Sequence, residues 1–194
     1  MSKPELIIVG GANGSGKTTL ALDLAALRGC QYVGADAIAE EISPGHPELV
    51  AIAAGKEFVR RVDLTIQVGA TFLIESTLAG RSLRHFIQDA RIADYAVSIA
   101  YLFLDSADSC VKRVSERVQK GGHSVPEQDV RRRFLRSLGN FWQFYRPLAD
   151  NWTLLYNSGE EVVDVASGSL VEVKVREERL YSLFLRLVGS SGNG

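Results

Sequence analysis

LIIVGGANGSGKTT, residues 6–19, reads as an apolar strand, a glycine-rich turn and the opening of a helix in direct succession. Within it GANGSGKT, residues 11–18, matches the phosphate-binding loop G-x-x-x-x-G-K-[ST] at every fixed position. Gly11, Gly14 and Gly16 let the backbone wrap closely round a phosphate, with its N–H groups turned inward at the positive end of a helix. On this reading Gly11, Ala12, Asn13, Gly14, Ser15, Gly16, Lys17, Thr18 and Thr19 hold ATP. Lys17 reaches the β- and γ-phosphates, and the Thr18 hydroxyl ligates Mg²⁺. A plain glycine turn is the competing explanation, but strand, loop and helix start are all in place around the motif.

The rest of the chain suits a small-molecule enzyme. Its 194 residues, 46% of them hydrophobic, predict one domain with its own core, spanning residues 1–188 with a tail at 189–194. A net charge of −1 gives no general attraction to nucleic acid or to anionic membranes. The N-terminus enters the first strand within five residues and no apolar run reaches membrane-spanning length, so a cytoplasmic location is expected. Cys30 and Cys110 lack metal-ligand spacing and read as reduced core residues.

Strand-like runs at 6–10, 32–35, 71–75, 97–104 and 153–156, the first four followed by helical patterns, predict an α/β fold with a parallel sheet flanked by helices. Leu20, Leu24 and Leu27 mark the expected buried stripe of the first helix, which stops at Gly29. Residues 159–175 suggest an added β-hairpin before a last helix at about 176–188. Ligands of such sheets bind at the carboxyl ends of the strands. That rule selects Gly11–Thr18, Asp36, Glu75–Thr77 and Asp105.

Asp36 follows the second strand and is a candidate general base for an acceptor hydroxyl, with a helix N-cap as the alternative. Glu75 and Thr77, with Arg81 one turn later, offer hydrogen-bonding groups to a polyhydroxylated acceptor, unless Ser76 or Thr77 caps the next helix. Asp105 reads more readily as a cap than as a magnesium residue. Arg113, Arg117 and Lys120 recur on one side of a helix that ends in GGHSVP, a loop containing His123. The next helix carries Arg131, Arg132, Arg133 and Arg136. Arginines flanking a glycine hinge are the parts of a lid over a triphosphate, here residues 117–133, although a charge run is also what a solvated face looks like. Phe134, Phe141, Trp142, Phe144 and Tyr145 are spaced to pack a helix on the body of the protein.

Taken in order, GANGSGKTT, GADAIAEEISPGHPE, AGKEF, FLIESTLAGR, RVQKGGHSVPEQDVRRRF, NFWQFYRPLADNW and LYNSG resemble the zeta-toxin family of P-loop kinases, particularly its short bacterial branch, over most of residues 6–159. The resemblance implies an ATP- and Mg²⁺-dependent kinase of UDP-activated amino sugars such as UDP-N-acetylglucosamine, acting as the toxin of a toxin–antitoxin pair. It matches Lys17 and Thr18 to the ATP–Mg²⁺ residues, Asp36 to the catalytic base, and Glu75 and Thr77 to sugar-nucleotide contacts, with Arg81 as a further substrate residue. Lid arginines are implied at Arg117 and one of Arg131, Arg132 or Arg133, of which Arg132 is taken as the candidate. A kinase of another metabolite, antibiotic or polynucleotide end, and a nucleotide-gated interaction protein or ATPase, are the rival readings.

Overall fold

The computed structural model describes residues 3–122, 124–159 and 161–191. In chain order the elements are β1 (Glu5–Gly11), α1 (Lys17–Arg28), β2 (Gln31–Val33), α2 (Ala35–Ile42), α3 (Ala51–Val68), β3 (Phe72–Ser76) and α4 (Leu83–Ile92). There follow β4 (Ala96–Phe103), α5 (Ala107–Gln119), α6 (Glu127–Asn140), β5 (Asn151–Tyr156), β6 (Val163–Gly168), β7 (Val173–Val175) and α7 (Glu178–Ser191). The sheet order is β2-β3-β1-β4-β5-β6-β7. The first five strands run parallel, and β6 and β7 add an antiparallel hairpin at the edge.

Parallel strands covered on both faces carry continuous apolar runs, and β1 does so. Leu6 and Ile8 point into the larger core under α3 to α7, Ile7 and Val9 into the smaller one under α1. In α1 the fully buried residues are Ala21 and Ala25, while Leu20 and Leu24 flank them and Leu27 is 83% exposed. The leucine stripe expected there is therefore corrected: the helix lays small residues on the sheet and the leucines fall to its sides. The aromatic cluster packs as expected, with Phe141 stacked on Tyr101 at 4.1 Å between ring centroids and edge-on to Trp152 and Phe184. After α6 the chain tightens into a π-helical turn, Phe141–Tyr145, then a 3₁₀ turn, Arg146–Leu148. The last helix runs on through Gly189 to Ser191, so the expected tail is shorter than 189–194; its last three residues lie outside the described ones, as does Glu160 before the hairpin.

With β1 central and β3 and β4 on either side, the carboxyl ends of five parallel strands open on one edge of the sheet. That edge carries Gly11, Gly34–Asp36, Ser76–Thr77, Asp105 and Asn157.

Candidate functional site

The phosphate-binding loop joins β1 to α1 and takes its shape from backbone that favours glycine: φ is +81° at Gly14 and +91° at Gly16. The loop is also closely walled. A Cβ at Gly14 would lie 2.7 Å from the Cys110 carbonyl oxygen, and one at Gly16 2.5 Å from Asn157 Nδ2. Ser15 Oγ is buried without a hydrogen-bond partner, and Lys17 Nζ reaches only the Ala12 carbonyl, at 3.4 Å. Burial pushes the Lys17 ammonium below lysine's ordinary value. Glu75 and Asp36 oppose that shift, and Arg117 adds to it. An orphaned hydroxyl and a desolvated cation in a loop whose glycines leave no room for a Cβ suit the phosphates of a nucleotide. Thr18 is exposed at the start of α1. Among the described residues no cluster of three acidic, histidine or cysteine side chains could hold a metal.

Asp36 lies in the first turn of α2, whose N-cap is Gly34, so the capping explanation for it is set aside. Its carboxylate lines a cleft of about 760 Å³ formed with Ala39, Glu40, Glu48, Ala54 and the Gly121–Gly122 turn. Ser76 Oγ and Thr77 Oγ1 accept from the Leu78 and Ala79 amides, turning the chain locally, and cap no helix. Leu78 itself is held at φ +54° with its side chain buried against Gly10, a backbone that costs about 1–3 kcal/mol in a non-glycine residue. Three donors from the α6 region hold that turn: Ser137 Oγ on Thr77 O at 2.5 Å, Asn140 Nδ2 on Leu78 O at 2.9 Å and Tyr145 Oη on Gly80 O at 2.7 Å. Arg81 is exposed and lies over the Phe144 ring at 5.0 Å. Asp105 is not a cap either: Ser106 caps α5, and Asp105 accepts from Ser109 Oγ at 2.6 Å.

The arginines divide. Arg131 pairs with Asp108 and Glu127, and Arg132 with Asp129 at 2.7 Å, facing solvent. Arg133 turns to the loop, with Nη1 3.5 Å from Asn13 Oδ1. Arg133 is therefore a second lid candidate beside Arg132. The helical phase gives the reason: Val130, Phe134 and Ser137 are buried, and Arg133 lies beside that face whereas Arg132 points away. Arg133→Ala is expected to lower kcat by about 10² and Arg132→Ala to change it little, as for a charge that meets the transferring group against an exposed ion pair; steady-state rates on both decide. Arg117 lines a second groove of about 450 Å³ with Gly14, Gly16, Arg113, Glu116 and Lys120. The glycine pair ends α5 in a Schellman turn, with Gly122 N on Arg117 O at 2.9 Å and Gly121 at φ +86°, so it braces Arg117 directly. His123 lies outside the described residues.

Two residues were not singled out from the sequence. Asn157, just after β5, donates from Nδ2 to Ser15 O at 2.8 Å and from its amide to Phe103 O, clamping the loop from two strands away. Asn157→Ala is expected to weaken ATP binding about 3- to 10-fold by calorimetry, the worth of one such bond, with the melting temperature little changed. Tyr32, on β2, sets its hydroxyl in the space a side chain at Gly34 would fill. There burial, then the neighbouring Glu75 carboxylate, raise the phenol above its ordinary range. Glu75 Oε2 is buried with no hydrogen bond of ordinary geometry, and the Tyr32 hydroxyl is the donor beside it. A strand-end polar residue followed by Ser-Gly was the available signal for Asn157; nothing local marked Tyr32.

Fold and loop together define a P-loop nucleotide-binding α/β protein. The profile of a family described as an AAA domain matches residues 6–139, and the chain belongs to that family. An uncharacterized protein of Haemophilus influenzae is 31% identical over 125 residues, 64% of this chain and 88% of that protein. Among solved structures, a chain of the AvrRxo1-ORF1:AvrRxo1-ORF2 complex with sulphate ions superposes with a TM-score of 0.73 at 19% identity; the match covers 96% of this chain, which spans only 64% of that longer one. The same complex solved with ATP gives 0.71 at 20% identity, over the same shares of both chains. A chain of the PezAT chromosomal toxin-antitoxin system of Streptococcus pneumoniae gives 0.64 at 15% identity, covering all of this chain and 87% of that one. At these identities the structural likeness speaks for the fold. Among the described residues no helix is long and apolar enough to cross a membrane.

Proposed function

We propose that this protein is an ATP- and Mg²⁺-dependent phosphotransferase that moves the γ-phosphoryl group onto a hydroxyl of a small molecule. The observation that carries the reading is the meeting of two clefts: the groove over the phosphate-binding loop and the cleft holding Asp36 share Gly122 as a wall, and Lys17 lies within the field of both Asp36 and Glu75. In this reading Lys17 and the loop amides hold the β- and γ-phosphates, and Thr18 would hold Mg²⁺, which screens their charge when bound. Asp36 takes the proton of the acceptor hydroxyl while its oxygen bonds to the γ-phosphorus and the β,γ-bridge breaks, releasing ADP. Arg117 and Arg133 meet the charge on the transferring group.

The resemblance adds a finer reading, a kinase of UDP-activated amino sugars that serves as a toxin in the cytoplasm and is held in check by an antitoxin protein. The toxin–antitoxin system named for the pneumococcal neighbour supports the same direction. Mass spectrometry of UDP-N-acetylglucosamine incubated with the protein, ATP and Mg²⁺ tests it: a product heavier by one phosphoryl group supports the finer reading, and an unchanged nucleotide sugar removes it.

A further inference from the structure

β7 is the last strand of the sheet, and one of its two edges pairs with no strand of the chain. Along an antiparallel ladder every second residue turns its backbone groups to the partner strand. Ser169 N donates to Glu172 O, Arg176 N donates to Val165 O, and Ser167 stands opposite Lys174, so Glu172, Lys174 and Arg176 face β6. The amides and carbonyls of Val173 and Val175 therefore point out of the sheet, and no described group hydrogen-bonds to them. This edge is also apolar. Val173 is 44% exposed, and the turn before it carries Leu170 and Val171, 66% and 95% exposed. An edge in that state is a template for another strand.

Charge selects the strand. Glu172 and Lys174 flank Val173 on one face of the sheet, both exposed and without an ion pair among the described residues. With a second β7 running antiparallel across a twofold axis at Val173, the two Val173 residues exchange both backbone bonds. Glu172 then stands opposite the partner's Lys174, and Lys174 opposite the partner's Glu172, at the closer, non-hydrogen-bonded spacing. The adjacent registers that also satisfy the outward groups set Glu172 against its own copy, or Lys174 against its own copy, and like charges so placed repel. A lysine on an edge ordinarily guards it against pairing. In the register centred on Val173 each lysine meets a carboxylate instead. We propose that β7 is a self-association surface whose partner is a second copy of this chain, joined by an antiparallel contact between the two β7 strands centred on Val173. The strands β4, β5 and β6 lie between β7 and β1, so the contact is remote from each chain's phosphate-binding loop and does not depend on the kinase reading. Three residues of strand make a small interface, so the dimer is weak and its signature is concentration dependence.

Sedimentation velocity on the full chain tests the proposal. The wild type should move from the weight of one chain towards that of two between about 10 and 500 µM, the range of a small interface. Lys174→Glu sets carboxylates against each other across the axis and Glu172→Lys sets ammonium groups together, so each should weaken the dimer about tenfold while melting as the wild type does. An equimolar mixture of these two variants should dimerise, and the chain carrying both changes should regain the wild-type dissociation constant. Val173→Pro removes an outward N–H and no bond to β6, and should leave a single chain throughout. The charge variants keep the test standing if proline unsettles the hairpin. A wild type that stays a single chain over the whole range overturns the proposal. So does a dimer that Lys174→Glu and Glu172→Lys leave unchanged, or a loss that neither mixing nor the double exchange restores.

Discussion

Replacing Lys17 by methionine is expected to lower phosphoryl transfer by about 10²–10³-fold or more, since the loop loses the one flexible cation that follows charge onto the leaving and transferring phosphates. The fold should persist. Burial, with a smaller push from Arg117, lowers the Lys17 value in the native state, so between that lowered value and the ordinary lysine range the unfolded chain binds the proton that the native chain has released. Stability of the nucleotide-free protein therefore rises with pH across that window. In Lys17→Met this rise should vanish, leaving melting at neutral pH equal to the wild type or higher. ATP affinity should run the other way in the wild type, weakening as pH climbs through the same window, because phosphate is held by the ammonium. Melting scans and calorimetric titrations from pH 7 to 10 on both proteins check the pair. Undiminished transfer by a folded Lys17→Met variant would remove the loop from the chemistry.

Asp36→Asn is expected to cut transfer by about 10²–10⁴-fold, the span of a positioned general base. ATP affinity and melting temperature should hold. Gly34 and not Asp36 caps α2, so the substitution removes only the favourable placing of a carboxylate in the first helical turn, worth about 0.3–1 kcal/mol. Asp36→Ala should therefore match Asp36→Asn in both transfer and stability. A role in helix structure would instead separate the two, with alanine the less stable and asparagine close to wild type in activity. Single-turnover transfer and thermal melts on both variants distinguish the cases.

The fold class was legible because its signals are local: a strand running into GANGSGKT, apolar runs at regular spacing, and helices that follow them. What the sequence left open depends on docking. Leu27 looked like core by helical spacing, but the line of α1 facing the sheet is set by Ala21 and Ala25. Three consecutive arginines are each about 100° apart round a helix, and only the seating of Val130 and Phe134 turns Arg133 to Asn13. Asn157 meets a residue 142 positions earlier because β4 lies between β1 and β5, an adjacency no local pattern encodes. Tyr32 reaches Glu75 because Gly34 leaves room for its hydroxyl, a relation between a strand and the turn after it.

The most direct test measures ADP formed and phosphorylated acceptor formed in one reaction, with a panel of hydroxyl-bearing acceptors that includes UDP-N-acetylglucosamine, ATP and Mg²⁺, for the wild type and for Asp36→Asn. One phosphorylated acceptor per ADP is expected in the wild type, with little ADP when the acceptor is left out and loss of both products together in the variant. ADP and free phosphate released at the same rate with and without acceptor, and unaffected by Asp36→Asn, would make the protein an ATPase and contradict the assignment of the cleft.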